Sequence, residues 1–411
     1  MKYDVLSLSG NIFVFENQQC DCLIDIAHDQ RGAEQKSLRL KGTENIIRYA
    51  YMPKEGLVRV NPKTGSIESG NVLAELLAVR CDDLDSMLKF FTNNGFFIPI
   101  SREVYEKYEI YEVSSIFRRI QYTVEILTLL QAQRKNYMDI LSKVCWLIFM
   151  NPITLKSVNY NDPLFETCVH SIHNYLSSAA NADEDNSVFQ QTDPYDPNIG
   201  IYRIPDSVRP PYNDIGNIEY DMEMSEPEWD GMPGMPAPPS VWDYHSLMFM
   251  YKNFIDIPKS DRKVIEFFYH MRKAVGRLEK ITLDGRLVFN SSDESVRKNI
   301  DDQLKNALLE VAKITVKEEI DYSLYGVTPS YDIESMTPSW TIPNLITGLF
   351  FSLFYLRPNM EAYRRCANIS CNQYFLVNTT NSKRKYCCPE CANAMAQRML
   401  RKRKKEASSQ E

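Results

Sequence analysis

The spacing of apolar residues changes several times along this chain, and each change marks an element. From Asn71 onward the apolar positions fall three and four apart, the repeat of one helix face. Val72, Leu73, Leu76 and Leu77 form one such run, and Leu84, Met87, Leu88 and Phe91 form a second. Asp82-Asp83 suits the start of the second run and Asn93-Asn94-Gly95 its end, with Phe96-Phe97-Ile98-Pro99 a short extended exit. Upstream the pattern differs. Asn11–Glu16 and Cys22–Ala27 are β-rich runs joined by polar residues, which predicts a hairpin in a small β region over residues 1–60.

Helical spacing continues downstream. Ile116, Ile120, Val124, Ile126, Leu127 and Leu130 predict one helix, and Met138–Phe149 predicts a second that stops at Asn151-Pro152. A third is expected over Pro163–Ser178. After a break, an amphipathic helix around residues 265–279 leads to a hairpin turned at Asp284-Gly285, and a long helix is predicted for Ser292–Ile320. Ile342–Leu356, apolar on all sides, reads as the central helix of its domain. The predicted fold class is therefore mainly α. A multi-helix bundle is expected, with a small N-terminal β region and a C-terminal treble-clef-like zinc finger. The expected division is an α+β region at 1–112, a helical segment at 113–180, a linker or strap at 181–240, a helical bundle at 241–360, the finger with its basic helix at 361–405, and a tail at 406–411.

Composition alters this picture at two places. Residues 181–240 hold thirteen Asp and Glu against two Arg, and ten of the chain's 21 prolines. A stretch such as 229–239 cannot continue a helix or a central strand. Recurring aromatics, among them Tyr195, Tyr202 and Tyr212, predict a strap partly docked on the body rather than a free linker. The second place is the C-terminus. The whole chain carries −7, yet from Glu361 onward eleven Lys and Arg face four Glu, so the last fifty-one residues carry +7 and the rest −14. A basic module on an acidic body permits local nucleic-acid binding and argues against a generalised kind. The acidic stretch either lies against that basic tail and competes with nucleic acid, or is a solvated linker. No apolar run is long enough to span a bilayer and the first residues lack a secretory core, which predicts a cytoplasmic protein with reduced thiols and no membrane partner.

Five of the ten cysteines crowd into Cys366–Cys391. Cys366 and Cys371 form one close pair, fifteen residues precede Cys387, and Cys391 follows four residues on. Thiolates so close together repel unless a cation gathers them, and Zn²⁺ takes four in a tetrahedron. Pro389 and Glu390 favour a helix start, which places Cys391 in its first turn. Either Cys387 or Cys388 then shares a face with Cys391.

At these residues the segment resembles the CGNR-type zinc finger of bacterial putative transcription regulators. The similarity lies in Arg365-Cys366, the gap to Cys371, Phe375, the step Arg384-Lys385-Tyr386-Cys387, and the basic helix beyond. The naming tetrad reads Cys391-Ala392-Asn393-Ala394 here, so only its Cys and Asn persist. The tight last pair looks like a related Tyr-Cys-Ser-x-x-Cys finger with Cys388 in the serine position. That resemblance implies Cys366, Cys371, Cys387 and Cys391 as zinc ligands, with Cys388 a spare thiol, and a DNA-binding transcription regulator as the function. It covers the last fifty or so residues.

The candidate contacts to DNA or RNA are Lys383, Arg384, Lys385, Arg398, Arg401, Lys402, Arg403, Lys404 and Lys405, cations suited to phosphate. Asn393 and Gln397, with Arg398, are candidates for base contact. Met395, Met399 and Leu400 are expected to pack the helix onto the finger. The other reading of the same run is a zinc-stapled module that docks a protein partner.

Elsewhere the chemistry is thin. No phosphate-binding glycine loop, His-Glu-x-x-His or nucleophile elbow occurs, so no catalytic residue is predicted. Cys20 and Cys22 point one way from a strand without completing a metal site, and read as half-buried strand residues. Glu166, His170 and His173 would line one face of the third predicted helix. A bundle metal site needs matching Glu-x-x-His helices, which are absent, so these read as packed or surface residues.

Overall fold

A computed structural model describes residues 12–28, 34–171 and 258–407, apart from 54, 62–63, 65, 151, 277, 283, 290, 334–335, 357–360, 372 and 379–383. The acidic stretch 181–240, with its expected strap, lies outside the described residues. The chain divides into two compact units, one of residues 1–131, 153–167 and 323–411, the other of 132–152 and 168–322.

The first unit overturns the expectation of a mainly helical protein with only a small β region. Its base is a five-stranded antiparallel sheet, β1 (Phe13–His28), β2 (Glu34–Met52), β3 (Gly56–Val60) and β4 (Ile67–Asn71) in that order, with β5 (Glu106–Glu109) paired to β2. The two runs read as a hairpin are one strand, both paired with β2. Most of the polar residues between them are paired too, and register shifts between Gln18 and Cys20, where residues 43–45 of β2 stand against Gln19 alone. Phe13, Phe15 and Asn17 are buried before this irregularity and Cys20 after it, so the buried face of β1 moves from odd to even positions there. Strict alternation is broken at that point, and β2 covers its solvent side with charge. Neither strand therefore shows one unbroken period.

The predicted helices α1 (Val72–Leu77) and α2 (Leu84–Asn94) follow, capped by Asn71 accepting from Ala74 N–H and Asp83 from Asp85 N–H. Gly95 ends α2 at φ 72°. The buried Asn17 side chain donates to the carbonyls of Asn94 and Phe96, both at 3.0 Å, and Tyr49 donates to Asn94 at 2.7 Å, so the helix end sits on the register shift. Phe90, Phe91, Phe96, Phe97 and, from α3 (Ile110–Gln131), Phe117 stack edge-on and tilted beneath it.

The third predicted helix is absent over its described part. Thr154–Leu155 and Phe165–Glu166 pair instead as β6 and β7, and Thr167 N–H donates to the Ile153 carbonyl at 2.9 Å. The turn residues Asn161-Asp162-Pro163 favour this hairpin. Glu106 stitches it to the sheet. Its carboxylate, 5% exposed, accepts from Ser101 N–H (2.6 Å), Ser157 Oγ (2.7 Å), Tyr108 OH (2.9 Å) and Val158 N–H (3.3 Å). Glu106→Ala strands those buried donors and is expected to cost about 2–4 kcal/mol, with Glu106→Gln costing less. Urea denaturation followed by circular dichroism measures both.

In the second unit α4 (Tyr137–Phe149) is buried nearly all round, and its Phe149 meets Phe268 of α5 (Lys259–Val275) at 5.2 Å. The hairpin β8 (Leu278–Ile281) and β9 (Leu287–Phe289) turns at Gly285, where φ is 83°. The long helix predicted next is two, α6 (Asp293–Asn299) and α7 (Asp302–Ser323). Ile300 leaves the helix, and the Asp301 carboxylate caps the next one by accepting from Leu304 N–H at 2.8 Å.

The chain then returns to the first unit with a hairpin, β10 (Thr328–Asp332) and β11 (Thr337–Thr341), and with α8 (Leu345–Phe354). This apolar helix is buried as predicted, but against the sheet rather than within a helical bundle. Phe351 lies 4.7 Å from the Phe13 ring, and Gly348 sits so close over Phe15 that a Cβ would fall 2.3 Å from that ring. The last elements are β12 (Glu361–Arg365), β13 (Tyr374–Asn378) and α9 (Pro389–Ala407). No helix among the described residues is long and apolar enough to cross a membrane.

Candidate metal centre

Three pieces of backbone bring the C-terminal cysteines together. Cys366 leaves β12 and Cys371 closes the loop before β13, with its N–H donating to the Asn368 carbonyl at 2.8 Å. Cys366 N–H donates to the Gln373 carbonyl and Ala367 N–H to that of Lys385, both at 2.9 Å, which ties the loop to the approach of α9. Pro389 opens α9 because it needs no N–H partner there, and Cys391 falls in the first turn.

The sulfurs of Cys366, Cys371, Cys387 and Cys391 all lie within 4.8 Å of one another. Cys387 is the hub, 3.7 Å from Cys371 and 3.6 Å from Cys391. A tetrahedron with bonds of about 2.3 Å sets its sulfurs roughly 3.8 Å apart, so these four can hold a metal ion. Cys388 lies 3.8 Å from Cys387 but does not belong to the group of four. Buried beside the cysteines are Phe375 and Val377, with Tyr386 partly buried against them.

The surroundings favour a thiolate at Cys366. Burial raises the Cys366 thiol, but backbone N–H groups of Cys387 and Asn368 and the neighbouring thiols bring it down further, to about 7. The opposite holds at Cys387, which burial and then the thiols of Cys391, Cys366, Cys371 and Cys388 push well above the ordinary range. A cation at the centre removes that conflict, because it draws all four toward the thiolate.

Asn368 is a supporting residue that periodicity and spacing do not reveal. Its Nδ2 donates to Cys391 Sγ at 3.3 Å, and its Oδ1 accepts from Arg398 Nη1 at 3.2 Å. Arg398 also donates to Ser370 Oγ at 3.1 Å. It therefore clamps α9 to the cysteine loop instead of pointing clear of the finger. Arg384 has a comparable role, donating to the Cys387 carbonyl at 2.6 Å with its guanidinium 5.0 Å from the Phe375 ring centre. Met399 and Leu400, expected to pack inward, are 53% and 58% exposed.

Among the other predicted cations, Lys385 and Arg401 are exposed. Lys402, Arg403, Lys404 and Lys405 lie on α9, and Lys383 lies outside the described residues. Asn393 and Gln397 are exposed on α9. Cys20 and Cys22 lie 3.6 Å apart on β1. Of the histidine group, Glu166 ends β7, His170 is buried, and His173 is outside the described residues. No family model matches this chain, and no curated protein or solved structure is significantly similar to it.

Proposed function

We propose that this is a zinc-stabilised nucleic-acid-binding protein, a DNA-binding regulator in which Cys366, Cys371, Cys387 and Cys391 hold one Zn²⁺. The observation that carries the reading is the sulfur tetrad set against the first turn of a basic helix. An all-thiolate donor set suits zinc, and bound zinc supplies folding energy here. The helix so anchored holds Arg398, Arg401, Lys402, Arg403, Lys404 and Lys405 against Glu390 and Glu406. Such a density of cations attracts phosphate and releases its counterions. The resemblance to CGNR-type fingers points the same way, and the rest of the chain is then a sensing or partner-binding body in the cytoplasm.

The test is anisotropy of labelled duplex DNA across a salt series, with zinc-loaded full-length protein. Binding is expected to weaken steeply with salt. Each phosphate that a cation neutralises adds roughly 0.9 to the salt slope, so R401A/K402A/R403A should lower it by about 2–3. Binding that ignores those substitutions overturns the reading. One observation favours a second one: exposed Met399 and Leu400 give α9 an apolar edge suited to a protein partner. Under that reading M399E/L400E abolishes partner capture, and duplex DNA binds to neither protein.

A further inference from the structure

A second set of donors converges in the other compact unit, independent of the sulfur tetrad. Cys168 and His170 lie on the segment after β7, and Glu319 lies on α7. They are 2%, 1% and 0% exposed, and their donor atoms lie within 4.8 Å of one another. His170 Nδ1 stands 2.6 Å from Glu318 Oε2, and its Nε2 stands 3.0 Å from Glu319 Oε1. Ser171 Oγ is 2.6 Å from both Glu318 Oε1 and Asp261 Oδ1.

We infer that Cys168, His170 and Glu319 form a buried site for one divalent transition-metal ion of the zinc class. The donor chemistry is a thiolate, an imidazole and a carboxylate, a set that zinc accepts and that magnesium or calcium does not. The arrangement around the imidazole has the form such sites take. A metal-binding histidine gives one nitrogen to the ion and donates its other N–H to a carboxylate. With its proton on Nδ1, His170 donates to Glu318 and turns the Nε2 lone pair toward Glu319. In that tautomer the lone pair and the Glu319 oxygen, 3.0 Å apart, repel unless a cation lies between them. A proton would hold the imidazole to the glutamates, whereas a metal ion gathers all three donors. With bonds of about 2.0–2.3 Å the donors close around the ion by movements of about an ångström. Loading releases the Cys168 proton and any on Nε2 to solvent. The ion, one thiolate and one carboxylate then sum to zero charge, which lowers the cost of burying the site. Three protein ligands leave one position for water or a small ligand.

The test uses full-length protein with the finger removed by C371S/C387S/C391S, stripped with chelator, kept reduced and titrated with Co²⁺. One equivalent per chain is expected, with a thiolate-to-cobalt charge-transfer band. Adding C168S should abolish that band. Adding E318Q should keep the one-to-one stoichiometry while weakening affinity by about 10–100-fold. No Co²⁺ bound, or a spectrum unchanged by C168S, overturns the inference. If C168S fails to fold, X-ray absorption of the zinc-loaded finger-less protein decides. One sulfur with nitrogen and oxygen neighbours supports the site, and two or more sulfurs or none refute it. Failure here leaves the finger reading untouched, because the tetrad is absent from the protein tested.

Discussion

Cys387→Ser is expected to remove one equivalent of bound metal per chain and to unfold residues 366–407 while the sheet stays folded. Cys387 is the sulfur closest to two others, so its loss leaves no tetrahedron. The alternatives are weak beside the metal. Apart from the cysteines, the buried apolar side chains among the described residues of this cluster are Phe375 and Val377, at about 1.5–3 kcal/mol each. Structural zinc contributes on the order of 10 kcal/mol or more in small modules. The metal term decides the outcome. Hydrogen exchange read by mass spectrometry should show rapid labelling of α9 in the variant or after chelation, with α2 and α3 still protected. Cys388→Ser, by contrast, should retain the metal. If Cys387→Ser keeps the metal and Cys388→Ser loses it, the ligand assignment is reversed.

Gly95→Ala should be the most damaging single change in the sheet unit. Gly95 has φ 72° and ψ 175°, a backbone region that only glycine occupies readily. Forcing another residue there costs about 1–3 kcal/mol. Its new Cβ would also lie 2.1 Å from the Gln18 carbonyl oxygen and 2.6 Å from Asn17 Nδ2. The first of these is backbone at the register shift of β1, so it cannot swing aside, and overpacking adds about 1–3 kcal/mol. Together these lower the melting temperature by on the order of 10 °C. Thr92→Ala, on the exposed side of the same helix, is the control. A melting temperature equal to the control's would contradict the geometry.

The helix start at Asp83, the stop at Gly95 and the buried helix α8 were legible because each depends on local chemistry. So was the cysteine spacing, since a tetrahedral ion imposes its own geometry on nearby chain. The sheet was hidden because the buried parity of β1 switches at its register shift with β2, which erases the period on which strand recognition relies. The split between α6 and α7 left a readable trace in Asp301, three residues before Leu304, that apolar periodicity outweighed. Cys168, His170 and Glu319 could not be joined by sequence, because about 150 residues separate the first from the last and tertiary packing alone unites them. The role of Arg398 was equally hidden: charge says where a cation can act, and only packing says what already holds it.

Asn71 has one more task beyond capping α1. Its Oδ1 also accepts from the hydroxyl of Tyr363 on β12, 3.1 Å away, and Tyr363 is 4% exposed. The cysteine-bearing hairpin therefore completes a surface of the sheet unit instead of hanging from it as a separable bead. Excised as a fragment, residues 361–411 would still gather their sulfurs, but would offer water a bare tyrosine and its apolar neighbours. Such a fragment is a poor stand-in for the whole chain.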